Sequence, residues 1–435
     1  MKPSTASRWL LAALVLAGLA GWAVTGLFLY ARLAYLGLFL FIGAGAWAIL
    51  SMRGVRLKRM ARSLRASMGD VFEEEFEVEK GAWPACAWIE VDNRSNLPLA
   101  AGSRVLTRIG SHQRRFYSAR TLLVRRGAFQ LGPTTLRTGD PFGLFSIDKH
   151  QPAAETLIIL PMAFPIITFP PPPGLLPGGK ATRQHSLDVT PHAAGVREYV
   201  PGDPMKRIHW ASTARRGRFM VKEFEQDPQA DIWLFLDAEE GVHASMPEEE
   251  ISYQQDGWWL RHPQIGLPRN SFEYAVSMTA SLASFFLTDR RAVGLASAVG
   301  KLAVVPADRG ERQMSKIMET LAFLQPEGSL PLSGLVALQA KLLPIGSGVI
   351  LVTPSIRPDL LLAVEDLKRR NLRPVVVLIK AETFGGTPGT EQLAAGLINH
   401  NVPVCQVGFG DDLSVKLALP AVYFQQFRLS KAYHS

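Results

Sequence analysis

The chain has 435 residues, of which 47 are lysine or arginine and 38 are aspartate or glutamate, so its formal net charge is +9 and its pI is near 9.6. This length allows two or three domains. The positive net charge favours anionic partners. Because the basic residues cluster beside an apolar segment, we expect these partners to be membrane lipids rather than nucleic acid. The two cysteines, Cys86 and Cys405, lie far apart in the sequence, and neither has a second metal-ligating residue nearby. A disulfide framework is therefore not indicated, and a reducing compartment is favoured.

Two long uncharged segments near the N-terminus predict a transmembrane hairpin. Residues 9–30 and 33–52 are each long enough to cross a hydrocarbon core of about 30 Å at about 1.5 Å per residue. The break at residues 31–32 is so short that the two helices must be antiparallel. A stripe of small side chains in the first span either packs against the second helix or faces lipid. The stripe consists of Ala13, Ala17 and Gly21.

The charges that flank this hairpin predict its orientation. Lys2 and Arg8 precede the first span, and Arg32 alone lies in the turn. The basic residues after the second span are Arg53, Arg56, Lys58, Arg59, Arg62 and Arg65. Under the positive-inside rule both termini are cytoplasmic, and we assign residues 1–65 to the hairpin and its basic juxtamembrane segment. A cleaved signal peptide is the alternative, but cleavage would cut the hairpin in half.

Residues 66–169 show the short alternating strands of a small antiparallel sandwich. Phe76 and Val78 alternate with glutamates, a period of two that predicts a half-buried strand. Further strands are predicted at residues 85–91, 104–109, 116–124 and 128–136. We expect the Gly/Pro turn at residues 139–145, GDPFGLF, to be a packed corner rather than a ligand loop.

Residues 170–228 are predicted to be a linker followed by a compact polar segment. A proline run at residues 170–173 is extended and lacks amide donors. The stretch GLLPGGK at residues 174–180 resembles the start of a phosphate-binding loop, but Ala181 replaces the hydroxyl residue that would bind magnesium and Pro177 removes an amide. We expect no nucleotide site there.

The densest basic and aromatic stretch covers residues 195–223. A tight turn at residues 201–202 between extended flanks predicts a hairpin-like excursion. Tyr199 and Trp210 supply flat surfaces beside many arginines. Two interpretations stay open, an internal salt-bridge network with Asp203 bonded to an arginine and a basic docking face for a partner.

The same stretch contains the residue types of a hydrolytic triad. Asp203, His209 and Ser212 are present, but their spacing matches no nucleophile motif and nothing places the serine on a strained turn. We therefore assign no catalytic residue.

The pattern R-E-Y-x-P-G-D-x-x-x-x-I-H-W-x-x-x-A-R at residues 197–215 strongly resembles the signature of the bacterial domain of unknown function 58 family. The segments R-G-x-x-x-L-G-P at residues 126–133 and D-P-F-G-L-F at residues 140–145 match the same family. The signature positions that we assign to docking are Arg197, Tyr199, Gly202, Asp203, Trp210 and Arg215. The resemblance implies two membrane spans, a β-rich region, a von Willebrand factor A-like domain and a place in the bacterial inner membrane. It also implies association with MoxR-type AAA ATPases and transglutaminase-like membrane proteins in the cell envelope.

Residues 229–435 alternate apolar strands with amphipathic helices. Residues 232–236 form an apolar strand, and Asn270 with Glu273 makes a capping-box-like helix start. This alternation predicts a Rossmann-type α/β domain with a mostly parallel sheet covered on both sides. The long connection before that helix carries Trp258 and Trp259, which either dock a partner, enter the membrane interface or cap the sheet.

The first strand of this domain ends at Asp237, where ligands bind in such sheets. The von Willebrand factor A-like domain implied by the resemblance would carry D-x-S-x-S there, but the chain reads DAEEG, and it has TPS at residues 353–355 in place of an aspartate-glycine turn. Asp237 and Glu239 offer hard oxygen ligands to Mg²⁺, although a closed octahedral site needs more than two. A solvated acidic strand end is the alternative.

The sequence therefore predicts a membrane-anchored, cytoplasm-facing scaffold or adaptor that binds a partner protein, with no enzymatic activity and no cofactor. This expectation rests on the lack of a complete catalytic constellation. A metal-dependent or hydrolytic enzyme that uses Asp237, Glu239 and Asp203 is one alternative, and a lipid-binding envelope protein is another.

Overall fold

The computed structural model describes residues 5–169, 193–200, 205, 208–224, 230–247 and 266–418. Several expectations fall outside these residues. They are the proline run, the GLLPGGK stretch, Gly202, Asp203, Trp258 and Trp259.

The N-terminal segment forms two helices, α1 (Thr5–Thr25) and α2 (Phe28–Met52), which are both long and apolar enough to cross a membrane. The predicted position of the break was wrong, because the chain turns at Gly26 rather than at residues 31–32. Gly26 has φ 68°, and its N–H donates to the Trp22 carbonyl at 2.9 Å, so a residue without Cβ ends α1 in the left-handed conformation. Arg32 consequently lies inside α2.

Small residues bring the two helices together. A Cβ added to Gly18 would lie 3.1 Å from Cβ of Ala34, and a Cβ on Gly37 would lie 2.7 Å from Cγ2 of Val15. Gly21 faces the Tyr30 ring in the same way. The stripe proposed from the sequence is therefore only partly correct, because Ala13 and Ala17 are exposed and Gly18 and Gly21 make the contact.

Ten strands follow directly after α2 and form three small sheets, ordered β1-β3-β6, β5-β4-β8-β9 and β2-β10-β7. Their bounds are β1 (Val55–Ala61), β2 (Arg65–Ser67), β3 (Val71–Lys80), β4 (Cys86–Asn93), β5 (Arg104–Ile109), β6 (Gln113–Leu122), β7 (Gly127–Leu131), β8 (Thr134–Gly139), β9 (Ser146–Gln151) and β10 (Glu155–Leu160). One core joins the first two sheets, with Phe76 and Val78 of β3 packed among residues of β4 and β8. The strand-rich module that the alternation predicts is confirmed.

Two details of this module differ from the sequence expectation. The basic segment assigned to the juxtamembrane region forms β1, whose buried Val55 and Leu57 alternate with exposed basic residues. The strand predicted at residues 128–136 is two strands, β7 and β8, because Gly132 (φ 111°) and Pro133 turn the chain between them.

The last turn of α2 is anchored in the strand module. The buried Lys80 ammonium donates to the carbonyls of Leu50 (3.4 Å) and Arg53 (2.5 Å), and Sγ of Cys86 donates to the Ser51 carbonyl at 3.1 Å. A cation at a helix C-terminus satisfies carbonyls that have no helical partner. Burial lowers the pKa of this lysine.

The family-like stretch forms β11 (Ala193–Glu198), α3 (Trp210–Arg216) and β12 (Met220–Phe224). β11 and β12 pair antiparallel, with Val196 opposite Lys222. We call β11, α3 and β12 together the signature excursion.

The C-terminal part is a six-stranded sheet in the order β15-β14-β13-β16-β17-β18, parallel except for the edge strand β15. The elements are β13 (Ile232–Leu236), α4 (Ser271–Thr288), β14 (Val293–Val299), β15 (Lys301–Asp308), α5 (Glu311–Phe323), α6 (Leu332–Gln339), β16 (Gly348–Thr353), α7 (Asp359–Arg369), β17 (Arg373–Ile379), α8 (Thr390–Asn399), β18 (Val404–Val407) and α9 (Leu413–Lys416). One hydrophobic core contains α4 and α5, and a second contains α6, α7 and α8 on the other face. The predicted mixed α/β sheet with helices on both faces is confirmed.

A buried arginine joins the strand module to the α/β domain. The Arg126 guanidinium donates to the carbonyls of Leu321 (3.1 Å) and Leu324 (2.7 Å), pairs with the Glu273 carboxylate and lies 5.1 Å from the centre of the Phe272 ring. Arg126 belongs to the R-G-x-x-x-L-G-P segment, so this segment has a structural role at the domain interface.

Candidate functional site

The signature excursion owes its shape to local capping interactions. The Ser212 N–H donates to Nδ1 of His209 at 3.2 Å, and the Ser212 hydroxyl lies 2.7 Å from the same nitrogen, so His209 is the N-cap of α3. Gly217 ends the helix with φ 65° and donates to the Thr213 carbonyl. The His209–Ser212 pair therefore caps a helix, and Asp203, the third residue considered for a triad, lies outside the described residues.

Helix α3 of the signature excursion exposes large side chains to solvent. Among the described parts of the chain it buries none of its seven residues. Trp210 is 65% exposed and Phe219, just after the helix, is 54% exposed. Arg215 and Arg216 lie in the last turn of α3, where a positive charge interacts favourably with the helix dipole, and both side chains are exposed.

The other predicted docking residues are placed as follows. The backbone of Arg197 pairs with Val221, while the side chain of Arg197 lies outside the described part. Tyr199 is half-buried, and its ring meets the Phe219 ring edge-on with centres 6.1 Å apart. Arg218 pairs with Glu198 at 3.3 Å on the surface. The structure thus places Tyr199 directly after β11 and against Phe219, which follows α3.

A second candidate site lies at the carboxyl ends of β13 and β16. Asp237 is 1% exposed, and its Oδ2 accepts from the Thr353 hydroxyl at 2.6 Å while its Oδ1 accepts from the Glu239 N–H at 3.1 Å. Glu239 pairs with Arg357 at 2.8 Å. Both Asp237 oxygens have internal donors and the Glu239 charge is balanced.

This donor set does not fit a metal centre well. Within the described residues there is no group of three or more His, Cys, Asp or Glu side chains that could hold a metal ion. Asp237 and Glu239 lie close together in the chain but are committed to Thr353 and Arg357. A divalent cation would have to displace these partners.

A half-buried histidine completes the polar cluster. Nε2 of His243 lies 3.1 Å from the Asp237 carbonyl, and Nδ1 lies 3.1 Å from the Ser271 hydroxyl at the start of α4. This arrangement fits a neutral imidazole that donates to the carbonyl and accepts from the hydroxyl. The ring also packs edge-on against Phe272, with centres 4.9 Å apart.

Burial shifts the two titrating groups in opposite directions. It raises the pKa of Asp237 to about 6 from the ordinary 3.8, despite the Thr353 hydrogen bond. It lowers the pKa of His243 to about 4 from 6.5. Each displacement corresponds to about 3 kcal/mol.

The signs of the two stability effects follow from linkage. Because the folded-state pKa of Asp237 is raised, its carboxylate destabilises the fold above pH 6, and this penalty disappears as the pH falls from about 6 to 3.8. Because the folded-state pKa of His243 is lowered, stability is lost as the pH falls from 6.5 to about 4. The two contributions oppose each other in the same pH window.

A glycine closes this edge of the sheet. The Gly328 N–H donates to the Ala238 carbonyl at 2.8 Å, and the Gly328 carbonyl accepts from the Glu240 N–H at 2.9 Å. A Cβ at position 328 would lie 2.7 Å from the Ala238 oxygen and would clash with the Ala298 oxygen. Only glycine fits there without a backbone shift.

Sequence reasoning did not single out His243, Ser271 or Arg357, because their roles arise from the packing of α4 and of the loop after β16 on the end of β13. Thr353 stood in the noted TPS turn, but nothing in its pattern indicated a bond to Asp237. Arg126 had a signal, since it begins a family-like motif.

The fold and these sites define a protein with two apolar N-terminal helices, a strand-rich module and an α/β domain, joined by an exposed basic excursion. A family model described as "Protein of unknown function DUF58" matches residues 195–246, which include the signature excursion from Gly195 onward and the Asp237 edge. A relative described as "Uncharacterized protein YeaD" of Bacillus subtilis (strain 168) is 25% identical over 214 residues, which cover 48% of this chain and 46% of the relative. The chain thus spans about half the length of the curated relative that it matches. The chain is therefore similar to the DUF58 family over residues 195–246 and to this relative over about half its length.

Proposed function

We propose that this protein is a membrane-anchored, cytoplasm-facing scaffold or adaptor that binds a partner protein through the signature excursion. The observation that carries the proposal is the exposure of α3, which presents Trp210, Arg215 and Arg216 to solvent although its ends are firmly capped. Tryptophan and arginine are the side chains that most often dominate protein–protein binding energy.

The chemistry of this surface favours an acidic partner. Arg215 and Arg216 lie on a helix whose first turn has no acidic residue. The exposed Phe219 follows Arg216 by three residues, so an apolar contact can be combined with charge-assisted hydrogen bonds. The family resemblance adds a class of partner, a MoxR-type AAA ATPase in the cell envelope.

The membrane placement is supported by α1 and α2, which are long and apolar enough to span. Arg53, Arg56 and Lys58 follow α2 directly, which favours a cytoplasmic side for the strand module under the positive-inside rule. In this arrangement the chain is a multi-pass inner-membrane protein with both termini in the cytoplasm. The sheet order and the position of Asp237 at a strand end also support a von Willebrand factor A-like classification of the α/β domain.

The test is site-specific photocrosslinking followed by affinity measurement. A photoreactive amino acid at position 219 in cells would capture the partner, which is then identified by mass spectrometry, with the MoxR-type ATPase as the first expectation. With purified partner and the full chain in detergent, Trp210→Ala and Arg215→Glu should each weaken binding at least about tenfold.

The matched control is Arg312→Glu, which reverses an exposed arginine on α5, far from the signature excursion in the chain. This variant should bind like the wild type. Circular dichroism of each variant checks that the fold is retained. Wild-type affinity in Arg215→Glu and Trp210→Ala would contradict the docking proposal.

A second function, metal-dependent or hydrolytic, is favoured only by the buried Asp237 with its raised pKa. Calorimetric titration of the full chain with Mg²⁺ and Mn²⁺ tests it. Binding that Asp237→Asn abolishes would support this alternative, and the absence of heat with the wild type would remove it. A purely lipid-binding function would instead leave membrane association of the soluble part intact after removal of the hairpin.

A further inference from the structure

The turn between β8 and β9, residues 140–145, has a backbone fixed by hydrogen bonds and carries the exposed side chain of Phe142. We call this turn the corner. Asp140 is fully buried, and its carboxylate accepts from the N–H groups of Phe142 (2.8 Å) and Phe145 (2.5 Å). Gly143, at φ 72°, completes the turn. Phe142 is nevertheless 67% exposed.

The other aromatic of the corner, Phe145, packs on both N-terminal helices, so the predicted packing holds for Phe145 and not for the exposed Phe142. The Phe145 ring meets Phe41 of α2 edge-on with centres 5.0 Å apart, and the Arg8 guanidinium of α1 lies 5.0 Å from its centre. Nε of Arg8 also donates to the Leu144 carbonyl. The corner is therefore attached to the hairpin at the level of Arg8.

The register of the two helices shows where Arg8 lies relative to the apolar part of the hairpin. Val15 meets Gly37 and Gly18 meets Ala34, so Arg8 lies opposite residue 44 of α2. The residues of α1 after Arg8 form an uncharged stretch to Thr25, about 26 Å long at 1.5 Å per residue, close to the thickness of a hydrocarbon core. Arg8 is the cation that ends this stretch, so we place the boundary between acyl chains and head groups at its level. The last eight residues of α2 lie beyond it, where Ala48 and Ser51 are buried although α1 begins only at Thr5, opposite residue 47.

From these contacts we propose that Phe142 enters the bilayer at this boundary, so that the corner is a lipid-contact wedge of the strand module. The occupant of this surface is phospholipid, because the corner adjoins the apolar hairpin and carries an exposed apolar ring three residues before Phe145, which Arg8 contacts. The proposal rests on the membrane anchoring in the proposed function and is independent of partner docking at α3.

The wedge has a structural consequence. The strand module is held to the hairpin by Lys80, Cys86 and Phe145, so a tilt of the hairpin in the bilayer would tilt the module with it. A membrane contact, from an aromatic held by Asp140, fixes the orientation of the module and of the α/β domain that Arg126 joins to it. The signature excursion would then face the cytoplasm at a defined height.

The chain offers a matched control for Phe142. Trp83 is 71% exposed, and its loop contacts the end of α2, where the Gly81 N–H donates to the Gly54 carbonyl at 2.9 Å. The eight residues from position 44 to Met52 rise about 12 Å along α2. Trp83 therefore stands farther from the Arg8 level, and we expect it to remain in water.

The experiment compares Phe142→Cys and Trp83→Cys, each labelled with an environment-sensitive fluorophore. The full chain is reconstituted into vesicles of phosphatidylcholine and phosphatidylglycerol, with doxyl-labelled lipid as the membrane quencher and iodide as the aqueous quencher. The native Cys86 and Cys405 are buried, and unmutated protein treated with label measures their background. Flotation of the vesicles reports the anchoring separately.

We expect several-fold stronger doxyl quenching at position 142 than at position 83, and the reverse order with iodide. Equal doxyl quenching at both positions, or iodide access at position 142 equal to that at position 83, would overturn the wedge even when the protein floats with vesicles. Protein that does not float would instead refute the anchoring. If Phe142→Cys does not fold, labelled Pro141→Cys, in the same exposed turn, gives the same reading.

Discussion

Replacing Arg126 with alanine tests whether a single buried guanidinium joins the strand module to the α/β domain. The substitution removes hydrogen bonds to two carbonyls at the end of α5, the ion pair with Glu273 and the contact with the Phe272 ring. Because Arg126 is 2% exposed, water cannot replace these contacts without opening the interface.

The magnitude follows from burial. Removing one partner of a buried ion pair costs about 3–5 kcal/mol. The Glu273 side chain is 16% exposed and regains some hydration, so we expect the lower end, about 3 kcal/mol. For a domain of about 200 residues each kcal/mol lowers Tm by about 2–4 °C, which gives a decrease of about 6–12 °C.

The assay is thermal unfolding of the full chain in detergent, followed by circular dichroism, with limited proteolysis to detect separation of the two domains. The control is Arg125→Ala, the neighbouring exposed arginine, which should change stability by at most about 0.5 kcal/mol. Arg126→Lys keeps the charge but loses the forked geometry, so it should fall between the two. A Tm for Arg126→Ala indistinguishable from that of Arg125→Ala would refute the reasoning.

Three further substitutions are informative. Asp237→Asn removes the carboxyl group whose protonation offsets the stability lost when His243 remains neutral at low pH. As the pH falls from 6.5 to 4, this variant should therefore lose about 3 kcal/mol more unfolding free energy than the wild type in denaturant titrations. Parallel pH profiles of the two proteins would contradict the raised pKa of Asp237. Gly328→Ala should cost about 3 kcal/mol because its Cβ meets backbone oxygens, whereas Gly241→Ala, with open space around it, should be nearly neutral in the same titration. Asp140→Ala removes the carboxylate oxygens that accept from the Phe142 and Phe145 N–H groups, so unfolding should become easier by about 1–3 kcal/mol. Asp140→Asn keeps one acceptor oxygen and should lose less stability. A neutral Asp140→Ala would show that other contacts hold the corner.

Much of the architecture could be predicted because hydrophobic periodicity is a local property. The uncharged runs predicted both N-terminal helices, and the period of two at Phe76 and Val78 predicted β3, which the structure places in the core of the strand module. The fully apolar strand at Ile232–Leu236 likewise predicted a central strand, since both faces of β13 are covered by helices.

The errors arose where a single residue decides the backbone. Gly26 ends α1 five residues before the predicted break, and Gly132 with Pro133 divides one predicted strand into two. No strand was predicted for the basic juxtamembrane segment because charge dominates its pattern, although Val55 and Leu57 alternate with the basic residues of β1.

By itself the sequence determined the two apolar helices, the strand-rich and α/β regions and the resemblance to DUF58 proteins, since these depend on composition, periodicity and one long motif. Only the tertiary structure decided which polar side chains meet. Asp237 bonds Thr353 across 116 positions of the chain, and Arg126 reaches Leu324 across 198. Such pairs leave no local pattern, because burial against a distant element, rather than spacing along the chain, selects their partners.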